Sequence, residues 1–231
     1  MLQPPPNPVR LPIPLVVRDE SALAEIFTRT LEIRRRSVLV RQDEPSHDIK
    51  VIRHGIASRI KANAHGEQQI VGIITRGDIC NVASLFFEGA DHAVETVTDC
   101  EIAVAKKSDA LNLMESCPAI AKAMMALVVA GEAIAHEWVL NVGRRNAHQR
   151  IAHLLCEIIR RNRDFDRDDV CSFPMTQANL ADATGLSVVQ VNRSLQELRA
   201  SGLITLEHRV LTVHDWPRLC DIADFDPSYL H

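Results

Sequence analysis

The run Ser187-Val-Val-Gln-Val-Asn-Arg193 places an arginine, two amides and two adjacent valines at the start of a short helical pattern. Val191, Leu195 and Leu198 fall at i, i+4 and i+7, which stacks them on one face. Val189, Gln190, Arg193 and Gln196 then lie largely on the outer side. An outward Arg and Gln suit hydrogen bonding to nucleic acid. The Val188-Val189 tip offers apolar contact where a charged base reader is expected.

The elements that must position these residues can be read on either side. Thr176 is a cap for a preceding helix, accepting from the N–H of Ala178 or Asn179. Leu180 and Ala183 give that helix its apolar face. Gly185 ends it in the left-handed manner, and Ser187 caps the second helix. Gly202 closes that helix. Leu203–Leu206, a turn at Glu207-His208 and Val210–Val213 read as a β-hairpin. Helix, Gly turn, helix and hairpin make the winged helix-turn-helix plan.

Upstream, Ala147, Ile151, Leu154, Leu155 and Ile158 form an amphipathic helix stripe, followed by a polar loop at Arg163–Asp169. Before that, Ile120, Met124, Leu127, Gly131, Ile134 and Trp138 are spaced as an a/d seam. A helix over 118–142, about 37 Å long at 1.5 Å per residue, exceeds what capping a small β unit needs. A twin helix from a second subunit explains the seam; the alternative is packing on its own domain. Pro118 suits the first turn.

Residues 37–105 carry short β-type runs at 38–40, 49–52, 56–60, 69–74, 93–97 and 101–104. Turns separate them at Asp43-Glu-Pro45, His54-Gly55, His65-Gly66, Gly77-Asp78 and Glu88-Gly89. That spacing predicts an antiparallel barrel or sandwich. A short helix is predicted over 21–31 with Ser21 as N-cap. Residues 1–20 form a Pro-rich arm, extended or disordered, because proline blocks helix and ladder bonds.

Composition bounds the class. The chain has 231 residues, 46% hydrophobic and 24% charged, with a net charge of −4, as in ordinary globular proteins. No apolar run is read as reaching the roughly 18 residues of a membrane span, and no secretory signal is visible. A cytoplasmic protein with no membrane partner is expected. All five lysines lie at or before Lys122, whereas residues 144–163 hold six Arg against one Glu. That basic segment is either a solvated helix face or part of a nucleic-acid surface. Of the six cysteines, Cys80, Cys100, Cys117, Cys156, Cys171 and Cys220, none forms a CxxC pair or clusters with His at zinc spacing, and no metal site is read. Reduced buried thiols are the plain reading; a redox or haem role is the alternative. Phosphate-loop, nucleophile-elbow and His-Glu-x-x-His motifs are absent, so catalytic residues are unassigned.

Taken together, these residues resemble the Crp/Fnr superfamily of bacterial transcription regulators over nearly the whole chain. The resemblance rests on the Val38–Val104 roll with Gly55, Gly66 and Gly77-Asp78, on the seam helix, and on Thr176, Gly185, Val191, Arg193, Leu195, Leu198 and Leu203-Ile204. It implies an α+β chain. Residues 1–20 would be the arm and 21–117 a cyclic-nucleotide-binding-like sensor, an antiparallel β-roll of cupin-like jelly-roll type. Residues 118–143 would be a dimerisation helix and 144–231 a winged helix-turn-helix. It also implies a homodimer on palindromic double-stranded DNA, with RNA polymerase as a further partner if the protein activates.

By position, the resemblance makes Val188, Val189, Gln190, Asn192 and Arg193 the base-facing residues, with Arg193 suited to O6 and N7 of guanine. Well-known members carry Glu where Val189 stands; valine can instead meet a thymine methyl. Thr176, Gln177 and Ser187 would fix register on phosphates. In the sensor, Gly77, Asp78, Val82, His92 and Ala93 fall in the effector-pocket region. Val82 replaces the ribose-binding Glu, and His92-Ala93 replace the Arg-Ser or Arg-Thr phosphate clamp, so tight cyclic AMP binding is not expected. No cysteine precedes Cys80, so the family's N-terminal iron–sulfur cluster is not expected. The family's usual glycines near 36 and 43 are Arg36 and Asp43, and the first turns of the roll are expected to differ. No cofactor is identifiable and the effector is unknown. An unidentified small molecule, a thiol such as Cys80, and no ligand at all stand side by side. The rival functions are a module acting through protein partners and an enzyme.

Overall fold

A computed structural model describes residues 6–161 and 170–230. The predicted loop 163–169 lies outside the described residues. The chain divides into two compact units, one built on residues up to Lys61 with Ile73–Glu132, the other on Ala62–Gly72 with residues from Ala133 onward.

The first unit contains helix α1 (Val17–Glu25) and strands β1 (Arg29–Ile33), β2 (Val38–Val40), β3 (Asp48–His54) and β4 (Ala57–Ala62). Strand β5 (Gln68–Ile74), grouped up to Gly72 with the second unit, a 3₁₀ turn (Val82–Leu85), β6 (Ala93–Thr96), β7 (Cys100–Lys106) and α2 (Lys107–Ser116) follow. The strands form two sheets, in the orders β1-β7-β3 and β2-β6-β4-β5. Leu39, Val40, Ile52, Ile74, Val94, Ile102 and Val104 fill one core. Ile49, Val51 and Ala103, alternating with them along β3 and β7, meet Val9, Leu23, Leu85, Ile120 and Met124 in a second core. Both strands are buried on both faces, which explains their continuous apolar runs.

The predicted helix over 21–31 is displaced: α1 ends at Glu25 and Ser21 lies inside it. Residues 29–33 instead pair with β7. This is a largely exposed strand whose charged sequence carries little alternation. The described part of the N-terminal arm is docked rather than disordered. Val9 is buried, and Arg10 N donates to Gly77 O at 2.8 Å. Gly77 has φ +86°, and a Cβ there would stand 2.5 Å from Arg10 Cβ; the turn accepts only glycine because the arm crosses it. Arg36 and Asp43 keep left-handed backbones at φ 61° and 59°, so the first turns retain the glycine-type conformation.

Helix α3 (Pro118–Arg144) runs through both units. Its predicted seam is corrected at three positions. Ile120 and Met124 are buried in the first unit's second core, where Leu127 packs against them. Trp138 is buried in the second unit, donating Nε1–H to Glu157 at 3.0 and 3.1 Å. Gly131 is exposed, and Leu127 and Ile134 are half-buried. The apolar residues left exposed are Met125, Val128, Val129, Val139 and Leu140, one position round the helix. By length and composition α3 is also apolar enough to cross a membrane, contrary to the sequence reading. Its ends, however, are tied into folded units.

The second unit follows α3 with α4 (Ala147–Arg161), β8 (Val170–Ser172), α5 (Gln177–Thr184), α6 (Val188–Ala200), β9 (Ile204–Glu207), β10 (Val210–Val213) and α7 (Trp216–Ala223). The sheet order is β8-β10-β9. The predicted stripe of α4 is its buried face: Ile151, Leu154, Leu155 and Ile158 are all at or below 2% exposure. The β9–β10 hairpin turns through His208 (φ 49°) and Arg209 (φ 64°), left-handed at both positions as a two-residue primed turn requires.

Candidate nucleic-acid interface

The recognition surface is set by three reciprocal caps. Asn146 and Gln149 exchange side-chain-to-backbone bonds at the start of α4, at 3.0 and 3.1 Å. Thr176 Oγ1 accepts from Asn179 N at 3.1 Å, while Asn179 Oδ1 accepts from Thr176 N at 3.0 Å. Ser187 and Gln190 repeat the box at α6, at 2.9 and 3.3 Å. Each box satisfies two otherwise orphaned donors. Gly185, at φ 63°, ψ 35°, ends α5. Val191, Leu195 and Leu198 seat α6 on the core at or below 1% exposure.

That seating turns the predicted reading residues outward. Val188 is 48% and Val189 78% exposed; Gln190 and Arg193 are exposed and Asn192 half-buried. The structure adds partners that the sequence left open. Gln190 spends its carbonyl on the Ser187 cap. Asn192 Nδ2 donates to Gln177 Oε1 at 3.3 Å, joining a predicted base reader to a predicted phosphate contact. Arg193 Nε donates to Glu197 Oε1 at 2.9 Å. The hydroxyls of Thr176 and Ser187 are engaged in their caps.

The sequence reading did not single out Glu197 or the hairpin-turn residue Arg209. Glu197 sits four residues after Arg193, a spacing that pairs side chains on a helix, so its signal was present. The positive φ at His208 and Arg209 had no glycine to announce it.

Three arginines of the Arg-rich segment are structural, while Arg144 and Arg160 are exposed. Arg145 reaches Glu137 at 2.7 Å and Asp224 Oδ2 at 3.2 Å with its side chain 5% exposed. Arg150 donates to Arg145 O and Thr184 O at 2.8 and 3.1 Å, and Arg161 to Glu157 at 3.2 Å. Glu157, 1% exposed, also accepts from Tyr229 OH at 3.0 Å. His153, 1% exposed, stacks on Tyr229 with ring centroids 6.0 Å apart. Burial first, then the Arg145 charge, lower its pKa to about 3.

In the first unit, Asp78 is committed to the arm and its own turn. Its carboxylate receives Arg10 Nη2 at 2.6 Å and Thr75 N at 2.7 Å. Gly77 serves the same crossing, so this pair belongs to the arm's anchorage. His92 Nδ1 lies 2.8 Å from Asp91 Oδ1 and Nε2 lies 3.4 Å from Cys80 O. That bond, with Lys61 behind it, holds the Asp91 carboxyl below its ordinary range. Val82 and Ala93 are half-buried and offer no side-chain polar atom. Cys80 is fully buried, and burial pushes its thiol up to about 12, away from the thiolate that redox sensing requires.

Comparison with known proteins agrees with this division. Residues 30–117 match the cyclic nucleotide-binding domain family, and residues 149–222 match the Crp-like helix-turn-helix domain family. The chain is 25% identical over 221 residues to the transcriptional activator protein anr of Pseudomonas aeruginosa, covering 94% of this chain and 89% of that one. It is 27% identical over 198 residues to the nitrogen fixation regulation protein FixK of Azorhizobium caulinodans, covering 83% and 79%. The solved structure of FixK2 from Bradyrhizobium japonicum superposes with a TM-score of 0.77 at 22% identity, covering 84% of this chain and 96% of that chain.

Proposed function

This chain belongs to the Crp/Fnr family of transcription regulators, and we propose that it binds a palindromic promoter site as a homodimer in the cytoplasm, without cyclic AMP as its signal. The observation that carries the DNA reading is the outer face of α6, where Val188, Val189, Gln190 and Arg193 are exposed on a doubly capped helix. In a major groove, Arg193 meets O6 and N7 of a guanine and the two valines meet thymine methyls beside it. Thr176, Gln177 and Ser187 lie beside phosphates at the N-terminal ends of α5 and α6, where the helix ends favour an anion, with Arg209 at the wing tip adding charge.

The homodimer reading is supported by the exposed stripe of α3. Met125, Val128, Glu132, Ala135 and Val139 follow one another at 3, 4, 3 and 4 residues and are all exposed, the heptad spacing of a helix that packs on a twin. Glu132 stands in this seam, which suits a contact between helices better than burial in lipid. A two-fold pair presents two α6 helices to half-sites about one turn of DNA apart. Where the regulator activates, RNA polymerase is its further partner.

The sensor is read as a roll that has kept its framework and exchanged its ligand groups. Val82 has no acceptor for a ribose hydroxyl, and His92 is held by Asp91 and a backbone carbonyl instead of forming a bidentate clamp. No cysteine precedes Cys80 to build an N-terminal iron–sulfur cluster. An unidentified small molecule is the signal that fits a family-type roll.

Selection of binding sites from random duplex DNA tests the reading. An inverted repeat containing a guanine beside A·T pairs is expected, and an optimum without dyad symmetry overturns the dimer. Replacing each selected thymine by deoxyuridine removes only the methyl group. Loss of affinity at one or two positions identifies the Val188-Val189 contact, and uniform tolerance rejects it. Calorimetric titration with cyclic AMP is expected to show no micromolar binding.

A further inference from the structure

We propose that Glu197 is a positioning residue that sets the base specificity of α6 by fixing Arg193 in one orientation; this rests on the reading of α6 as the base-reading helix. Arg193 and Glu197 lie one turn apart, with Nε to Oε1 at 2.9 Å. The other carboxylate oxygen, Oε2, lies 3.3 Å from Nδ1 of His148 on α4. That nitrogen is enclosed, although the ring is not aligned for a hydrogen bond. The carboxylate is therefore flanked by two helices rather than free on one.

The arrangement contributes little as stabilisation. The Arg193 side chain is 82% and that of Glu197 46% exposed, and ion pairs of that kind are worth little. Its consequence is geometric. A guanidinium offers five N–H donors in a rigid fork. With Nε engaged by Glu197, the two terminal nitrogens remain as an end-on pair, and Nε–Oε1 is the ion pair that Arg193 makes among the described residues. Two parallel donors at the end of the side chain match the O6 and N7 acceptors of one guanine. Without the carboxylate, the same arginine is at liberty to turn to either strand's phosphates or to present its Nε edge to other acceptors.

The carboxylate carries a cost that identifies its role. A negative charge on the face that approaches DNA repels phosphates and weakens binding to every sequence alike. Retaining a group that lowers general affinity while restricting one base contact is a specificity device. Removing it is expected to move affinity and specificity in opposite directions, which a merely structural salt bridge would not do.

The test compares wild-type, Glu197→Ala, Glu197→Gln and Arg193→Ala proteins on three duplexes: the selected site, that site with the guanine pair exchanged, and an unrelated sequence. Glu197→Ala is expected to bind the unrelated duplex several-fold more tightly and to lose about tenfold in discrimination at the guanine. Glu197→Gln keeps an oxygen that accepts from Arg193 Nε. It is expected to recover most of the discrimination while retaining the raised general affinity. Arg193→Ala separates the two levels of the argument. If it abolishes discrimination and Glu197→Ala leaves it unchanged, the role of Glu197 is overturned and the helix reading stands. If Arg193→Ala also leaves discrimination unchanged, the reading of α6 itself fails. Loss of discrimination in Glu197→Gln as deep as in Glu197→Ala likewise overturns the positioning role, because the acceptor is still present.

Discussion

The helix-turn-helix and the β-roll preserve their family framework by different means. Around α5 and α6 the residues that shape the backbone are of the expected types: Thr176 and Ser187 as caps, Gly185 at the left-handed stop. In the roll the left-handed turns are made without glycine at Arg36 and Asp43. Hydrogen bonds impose the turns there: Arg36 N donates to Thr96 O and Asp43 N to Ala90 O, both at 2.8 Å. At Val82, His92 and Ala93, the positions proposed for the effector pocket, it is the side-chain chemistry that departs from a nucleotide clamp. A backbone path can survive substitution because many bonds determine it, whereas a binding group is one side chain deep.

The deepest contrast lies in the cores. The roll is filled by aliphatic residues, whereas the second unit is organised around the buried carboxylate of Glu157, which receives Trp138, Arg161 and Tyr229. Glu157→Ala removes a partner of a nearly buried arginine and the acceptor of Trp138 and Tyr229. It is expected to destabilise the second unit by about 3–5 kcal/mol, read from denaturant unfolding with Trp138 as a fluorescent reporter. A loss below about 1 kcal/mol would mean that the network is not what holds α3 to α4.

Acid should separate the units as well. The folded pKa of His153 is about 3, below its ordinary 6.5. Between those values the unfolded chain binds a proton that the folded chain excludes, so stability is flat above about pH 6.5 and falls as pH drops toward 3. From pH 6.5 to 5 the loss is about 2 kcal/mol, confined to the unit containing His153. The charged groups facing it are Glu137, Arg145 and Asp224, and among the described residues the roll has no buried histidine. His153→Phe, which keeps a ring against Phe225 and Tyr229, should flatten the slope measured by hydrogen exchange of α4. A slope unchanged by the substitution would assign the acid sensitivity elsewhere.

The same contrast governs how far the sequence could be read. The caps, the Gly185 stop, the Val191-Leu195-Leu198 stripe and the hairpin were legible because each is a local rule with a residue type attached. Most strands of the roll were legible from alternation and turn residues. Strand β1 was not, since an exposed, charged strand alternates too weakly and its pairing with β7 is remote in sequence. Three positions of the predicted α3 seam are packed within the chain itself, because the helix has two apolar stripes. Periodicity finds both but does not say which one the chain itself covers. The arginines of 144–163 were equally ambiguous: whether a charge is solvated or buried depends on packing, as for Arg145, which only tertiary contact brings to Asp224.

The smallest expected effect tests the claim about the roll most directly. If Arg36 and Asp43 are held left-handed by their surroundings, each carries a local strain of roughly 1–2 kcal/mol, less for Asp than for Arg. Glycine relieves it but adds unfolded-chain entropy worth roughly 0.5–1 kcal/mol. Arg36→Gly should therefore raise stability by about 0.5 kcal/mol, and Asp43→Gly by less, in thermal melts of the full chain. Gly77→Ala provides the opposite sign in the same unit. Its φ is +86° and its Cβ would stand 2.5 Å from Arg10, so it should lower stability and free the arm to proteolysis. If Arg36→Gly were instead destabilising, the arginine side chain would be making a contact that the turn depends on. The roll's framework would then be as residue-specific as that of the helix-turn-helix, and the contrast between the two units would fail.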